Sequence, residues 1–136
     1  GFYCLGGAVK FVDEEDPNKG LIFDGRVGED FKLSSGTWVS VGTLRPDYVA
    51  ACSPLIFDAV ICGQDKDMIG ALVWPSPAGM EQLVKENDGD MMAAFRVLTE
   101  RLAKKTADFN AGEPGSSRRI RRVMVMTEPP SVCRVY

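Results

Sequence analysis

Four arginines, Arg118, Arg119, Arg121 and Arg122, flank Ile120 and form the one basic cluster in a chain whose formal charge is −3. A guanidinium grips phosphate through paired N–H bonds, so the cluster suits a phosphate-bearing ligand; the same alternation also serves as solvated, gatekeeping charge on a sheet edge. An anion site of this kind is local, because a general nucleic-acid surface needs a net basic face and none is expected here. There is no histidine, which excludes imidazole bases, Ser-His-Asp or Cys-His nucleophiles and His-type zinc sites. Catalysis would then fall to Lys, Asp, Glu, Arg or backbone dipoles. The run Asp13-Glu14-Glu15-Asp16 reads as a solvated loop and not a metal site. The cysteines Cys4, Cys52, Cys62 and Cys133 form no CxxC pair and have mostly apolar neighbours, the pattern of buried reduced thiols.

Several elements must position these groups. At 136 residues and 45% hydrophobic content the chain suits one compact domain. Phe2 to Phe11 and Leu21 to Asp24 read as strands of an opening hairpin around an acidic loop. A polar, glycine-punctuated loop follows, and Ser40 or Thr43 is placed to cap a helix running to about Cys52, with Pro46 tolerable only in its first turn and Pro54 forcing a stop. Leu55 to Cys62 and Met68 to Trp74 are apolar runs separated by a polar turn. Ser76-Pro77 starts a helix to about Glu86, and Asp90 caps another whose Met91, Phe95, Leu98, Leu102 and Phe109 form a core stripe. Ile120 to Met126 adds a third strand. The expected fold class is α+β, an N-terminal β-hairpin followed by a small three-stranded sheet packed with helices. No run approaches the roughly 18 to 20 apolar residues of a membrane span and no signal pattern opens the chain, so no membrane partner and a cytoplasmic location are expected.

The stretch from Leu21 to Ser40, with Asp24-Gly25-Arg26 at a strand end and Ser34-Ser35-Gly36-Thr37-Trp38 beyond it, resembles the crossover between the large core and the mobile lid of adenylate-forming acyl- and aryl-CoA ligases. Glu128-Pro129-Pro130-Ser131 extends the likeness towards the feruloyl-CoA synthase branch. The resemblance implies the fold of the C-terminal domain of AMP-binding enzymes. Residues 1–25 would correspond to the end of the core, 26–127 to the lid and 128–136 to a short tail. It also implies roles: Arg26 reaching the ribose and phosphate of the adenylate, Lys32 approaching the adenylate phosphate or carbonyl, Gly28 as the hinge pivot, and Gly36 and Trp38 facing the pantetheine arm. Arg121, within the cluster, is expected from its charge alone to hold the 3′-phosphate nucleotide of CoA. Glycine absorbs large φ/ψ changes without a side-chain penalty, which suits both Gly28 and Gly36 to those tasks.

Two departures matter. The family's Tyr-x-x-Gly-Asp motif, whose carboxylate takes both ribose hydroxyls of ATP, corresponds to Tyr3-Cys4-Leu5-Gly6-Gly7, so that paired acceptor is replaced by glycine, at a cost of a few kcal/mol in nucleotide binding. No lysine occurs after Lys105, so the family's late catalytic lysine has no counterpart and no catalytic residue is assigned. The expectation is a stand-alone or truncated lid, not competent for ligation by itself, with CoA, ATP or AMP as the cofactors the resemblance implies. The alternatives are an interaction module acting in trans on a ligase core and a small CoA- or nucleotide-binding module. A homo-oligomer is expected if an apolar face is left uncovered.

Overall fold

A computed structural model describes residues 7–26, 29–113 and 115–128, with the side chains of 7, 8 and 23–26 left undescribed. Strands β1 (Gly7–Phe11) and β2 (Leu21–Arg26) form the antiparallel hairpin, pairing Phe11 with Leu21 and Val9 with Phe23. The strand expected from Phe2 lies outside the described residues as far as residue 6, and β2 runs two residues past Asp24. The acidic loop is solvated and folds on itself: Lys19 Nζ sits 2.6 Å from Asp13, and Asp16 accepts from Asn18 N as the short turn Pro17–Lys19 begins. Among the described residues no cluster could hold a metal ion.

The polar loop is more ordered than its composition suggests. Strands β3 (Phe31–Lys32) and β4 (Trp38–Val39) pair antiparallel within it. Phe31, Leu33 and Val39 are buried in the core, and period-two alternation sends Lys32 and Trp38 outward.

Helix α1 (Val41–Ala51) follows. Ser40 occupies the cap position, yet its hydroxyl makes no capping bond; the Asp30 carboxylate accepts from Val41 N at 2.9 Å instead. Pro46 lies in the second turn of α1 and not in the first. It supplies no N–H to the preceding turn, and the helix nonetheless continues because Leu44 and Tyr48, on either side of it, are fully buried.

Strand β5 (Ile56–Cys62) is antiparallel to β6 (Ile69–Pro75), and β7 (Ile120–Val125) is parallel to β6, giving the order β5-β6-β7. The parallel return is made by α2 (Pro77–Glu86) and α3 (Met91–Ala111). Both start where the sequence places their caps: Ser76 Oγ accepts from Gly79 N, and Asp90 Oδ1 accepts from Met92 N and Ala93 N.

The helices cover one sheet face. Ala59, Ile61, Ile69, Ala71 and Val73 point from it towards Leu44, Tyr48, Leu83, Leu98 and Leu102. The buried stripe of α3 is Ala94, Leu98, Leu102 and Thr106; Met91, expected in it, is 60% exposed because it starts the helix beyond the covered face. Thr106 donates to Leu102 O and therefore accepts from the buried Tyr48 hydroxyl at 2.8 Å, while Phe109 packs edge-on against the Tyr48 ring. Cys52 is buried and free as expected, whereas Cys62 is free but exposed; Cys4 and Cys133 lie outside the described residues. No helix among the described residues is long and apolar enough to cross a membrane.

Candidate functional site

The β3–β4 ribbon builds the site. Its turn closes through Gly36 N to Leu33 O (2.8 Å) and Leu33 N to Thr37 O (2.9 Å), with Ser35 and Thr37 hydroxyls 2.8 Å apart. Gly36 takes φ +82°, a conformation a side chain would strain, and open space lies over it. Two backbone bonds, Ser34 N to Lys66 O and Asp65 N to Lys32 O, fasten the ribbon to the turn between β5 and β6. From the other side Asp30 ties it to the start of α1. A short, otherwise marginal strand pair is thus held at three places.

On this base Lys32 Nζ stands 5.9 Å from the centroid of the Trp38 ring, and Trp38 is 51% exposed. The pairing stabilises the ribbon by roughly 0.5–1 kcal/mol at such an exposed site. It leaves a half-exposed indole beside an ammonium and a glycine turn. That combination accepts a flat or extended anionic ligand by stacking and charge.

The other expected site residues are distributed as follows. Arg26 ends β2, with its Cα paired to Gly7 across the hairpin, but its side chain lies outside the described residues, as does Gly28 entirely. Arg121 is exposed at the start of β7. It lines a polar pocket of about 340 Å³ with Asp67, Met68, Ser116 and Arg119, so it meets the far side of the turn on which the ribbon rests.

The arginine cluster divides. Arg118 turns inward and binds Asp47 (2.6 Å), Glu113 (2.9 Å) and the Thr43 hydroxyl (3.2 Å), tying α1 to the segment before β7. Arg119 donates to Glu113 O. Arg121 and Arg122 make no ion pair among the described residues and are the cluster's available charges. Sequence reasoning missed Asp30, whose bond to Val41 spans eleven positions. An acid ahead of a helix start was the only signal for it.

The sequence matches no protein-family model and no curated protein. Solved structures do match. The adenylation domain of a carboxylate reductase from Mycobacterium chelonae superposes with TM-score 0.64 at 24% identity, over 96% of this chain and 18% of that one. The fold is therefore one found within adenylation domains. The adenylation domain of a carboxylic acid reductase from Segniliparus rugosus, in complex with AMP and a co-purified carboxylic acid, gives TM-score 0.63 at 24% identity over 96% of this chain and 19% of that one. An anthranilate CoA ligase in complex with anthranoyl-AMP gives 0.52 at 17% identity over 94% and 21%. This chain thus spans only a small part of each of these structures, and the likeness establishes the α+β architecture of such domains.

Proposed function

We propose that this chain is the lid of an adenylate-forming ligase of the feruloyl-CoA synthase kind, working against a core carried in the same or a separate polypeptide. The observation that carries the reading is the Lys32–Trp38 pair, solvent-facing on a three-point anchored ribbon, in a fold found within adenylation domains. In this reading Arg26 contacts the adenylate ribose and phosphate, Gly28 is the pivot and Lys32 approaches the adenylate phosphate. Gly36 lets the pantetheine arm of CoA pass close to backbone, and Trp38 packs against it. The chain by itself supplies positioning and charge, with no residue of its own assigned to bond making.

The test is complementation. The isolated chain is mixed with the core of a hydroxycinnamate-CoA ligase from which the corresponding segment has been deleted, and ATP–pyrophosphate exchange and thioester formation are measured. The chain alone gives neither activity; addition to the core restores thioester formation, and Trp38→Ala with Lys32→Ala reduces that gain at least tenfold. Turnover by the chain alone, or no gain with the core at tens of micromolar, overturns the reading. A binding module independent of any core is favoured only by the half-exposed indole of Trp38. It would instead show CoA quenching of Trp38 fluorescence, absent in Trp38→Phe.

A further inference from the structure

We infer that the β7 edge of the sheet is a self-association surface, on which a second copy of this chain adds its own β7 antiparallel about a twofold axis at Val123. Three observations converge there. First, β7 pairs only with β6 among the described residues, so its outer edge presents free backbone donors and acceptors. Second, a groove of about 480 Å³ runs beside that edge between β7 and α3, lined by Leu102, Ala103, Ala107, Val123, Val125 and Arg121 among others. Val123 and Val125 share the helix-covered face of the sheet but are only half-buried, because the small side chains of Ala103 and Ala107 leave the cover short of the edge.

The third observation is charge. Asn110 bonds Ile120 in both directions, Nδ2 to O at 2.7 Å and N to Oδ1 at 2.8 Å, which pins the end of α3 beside the start of β7. Because β7 bulges at Arg121, Ile120 to Val125 spans four intervals of β6; at about 3.3 Å each they cover about 13 Å, or about nine residues of helix at about 1.5 Å, so Val125 lies level with Arg101. Glu100, exposed and one position before it, shares a helix face with Ala103 and Ala107 at spacings of three and seven. It therefore stands on the rim of the groove at the end opposite Arg121. Neither Glu100 nor Arg121 makes an ion pair among the described residues.

Antiparallel pairing about Val123 places Arg121 opposite Val125 of the second copy, and hence next to the second copy's Glu100, while Arg122 faces Met124 and no arginine faces another. A parallel approach would instead align arginine with arginine. The pairing is isologous: each copy's β7 and α3 cover the other's groove and the two strands satisfy each other's edge, which a small apolar ligand could not do. The inferred partner of Arg121 is then a carboxylate of a second copy and not the CoA phosphate expected from the sequence. The surface lies on the sheet edge away from β5, so it leaves the ribbon free.

Sedimentation equilibrium of the full chain between about 10 μM and 1 mM tests the inference, with circular dichroism confirming that each variant folds. The wild-type chain shows a monomer–dimer equilibrium. Arg121→Glu weakens it at least tenfold, and adding Glu100→Arg to that variant restores it to within about threefold. Monomer mass at every concentration overturns the inference. So does association that survives Arg121→Glu, which would belong to another surface such as the apolar hairpin, and so does a double variant that fails to recover. None of these outcomes depends on a ligase core, so they are independent of the complementation result.

Discussion

Exchanging the expected helix cap for the observed one gives an inverted order of stability effects. A serine just before a helix ordinarily caps it, and replacing such a residue with alanine costs about 1 kcal/mol. Here the Ser40 hydroxyl is buried with no hydrogen-bond partner among the described residues, and the cap is the Asp30 carboxylate on Val41 N. Asp30→Ala loses that bond, worth about 0.5–2 kcal/mol, together with the favourable charge at a helix N-terminus, worth about 0.3–1 kcal/mol. A net loss of about 1–2 kcal/mol follows. Asp30→Asn keeps an acceptor and loses only the charge, roughly half as much. Ser40→Ala removes a polar atom that is desolvated without compensation, so it is neutral or stabilising by up to about 1 kcal/mol. With an unfolding entropy of about 2.1 cal/mol/K per residue, the 136 residues convert 1 kcal/mol into a Tm shift of about 3.5 °C. Asp30→Ala therefore lowers Tm by about 4–7 °C, and Ser40→Ala leaves it unchanged or raises it. Urea midpoints at constant m value measure the same differences. If Ser40→Ala costs 1 kcal/mol or more while Asp30→Ala is silent, the cap assignment and the anchoring of the ribbon through Asp30 are both wrong.

Burial pushes the Tyr48 phenol well above its ordinary range; because the folded value is raised, its contribution is complete below about pH 10 and is lost as pH rises past that point, where only the unfolded chain ionises. Urea midpoints measured from pH 7 to 11 should fall above pH 10, and Tyr48→Phe should flatten that part of the fall. Burial raises the Cys52 thiol in the same direction, so a shallower decline starting near the ordinary thiol value of about 8.5 should persist in the Tyr48 variant. Arg118→Ala should cost about 1–2 kcal/mol in a denaturation assay at low salt, since Asp47, Glu113 and Thr43 all lose their donor, whereas Arg122→Ala should stay within about 0.5 kcal/mol.

Much of the fold was legible because its signals are local. The strands β5, β6 and β7 follow from apolar runs bounded by polar turns, and α2 and α3 begin at Ser76 and Asp90 because a short acceptor side chain ahead of an amphipathic stretch can bond only the first free N–H groups. The ribbon at Phe31–Lys32 and Trp38–Val39 was not legible as structure. Two-residue strands carry too little period to read, and these are held by bonds to the turn between β5 and β6 and to α1, far along the chain. Lys32, Gly36 and Trp38 were nevertheless picked out by resemblance, and they fall together on one exposed ribbon.

Residue type and spacing by themselves determined the exclusion of imidazole chemistry, the α+β order of elements and the positions of most helix starts, because composition and short-range hydrogen bonding depend on neighbours a few residues apart. Tertiary structure alone decided which arginine is held in ion pairs and which is available charge, that Asp30 and not Ser40 caps α1, that Met91 and Cys62 face solvent, and that β7 has an open edge among the described residues. Each of those is fixed by where distant segments meet, and four clustered arginines or a serine before a helix look the same in sequence whichever partner the fold brings to them.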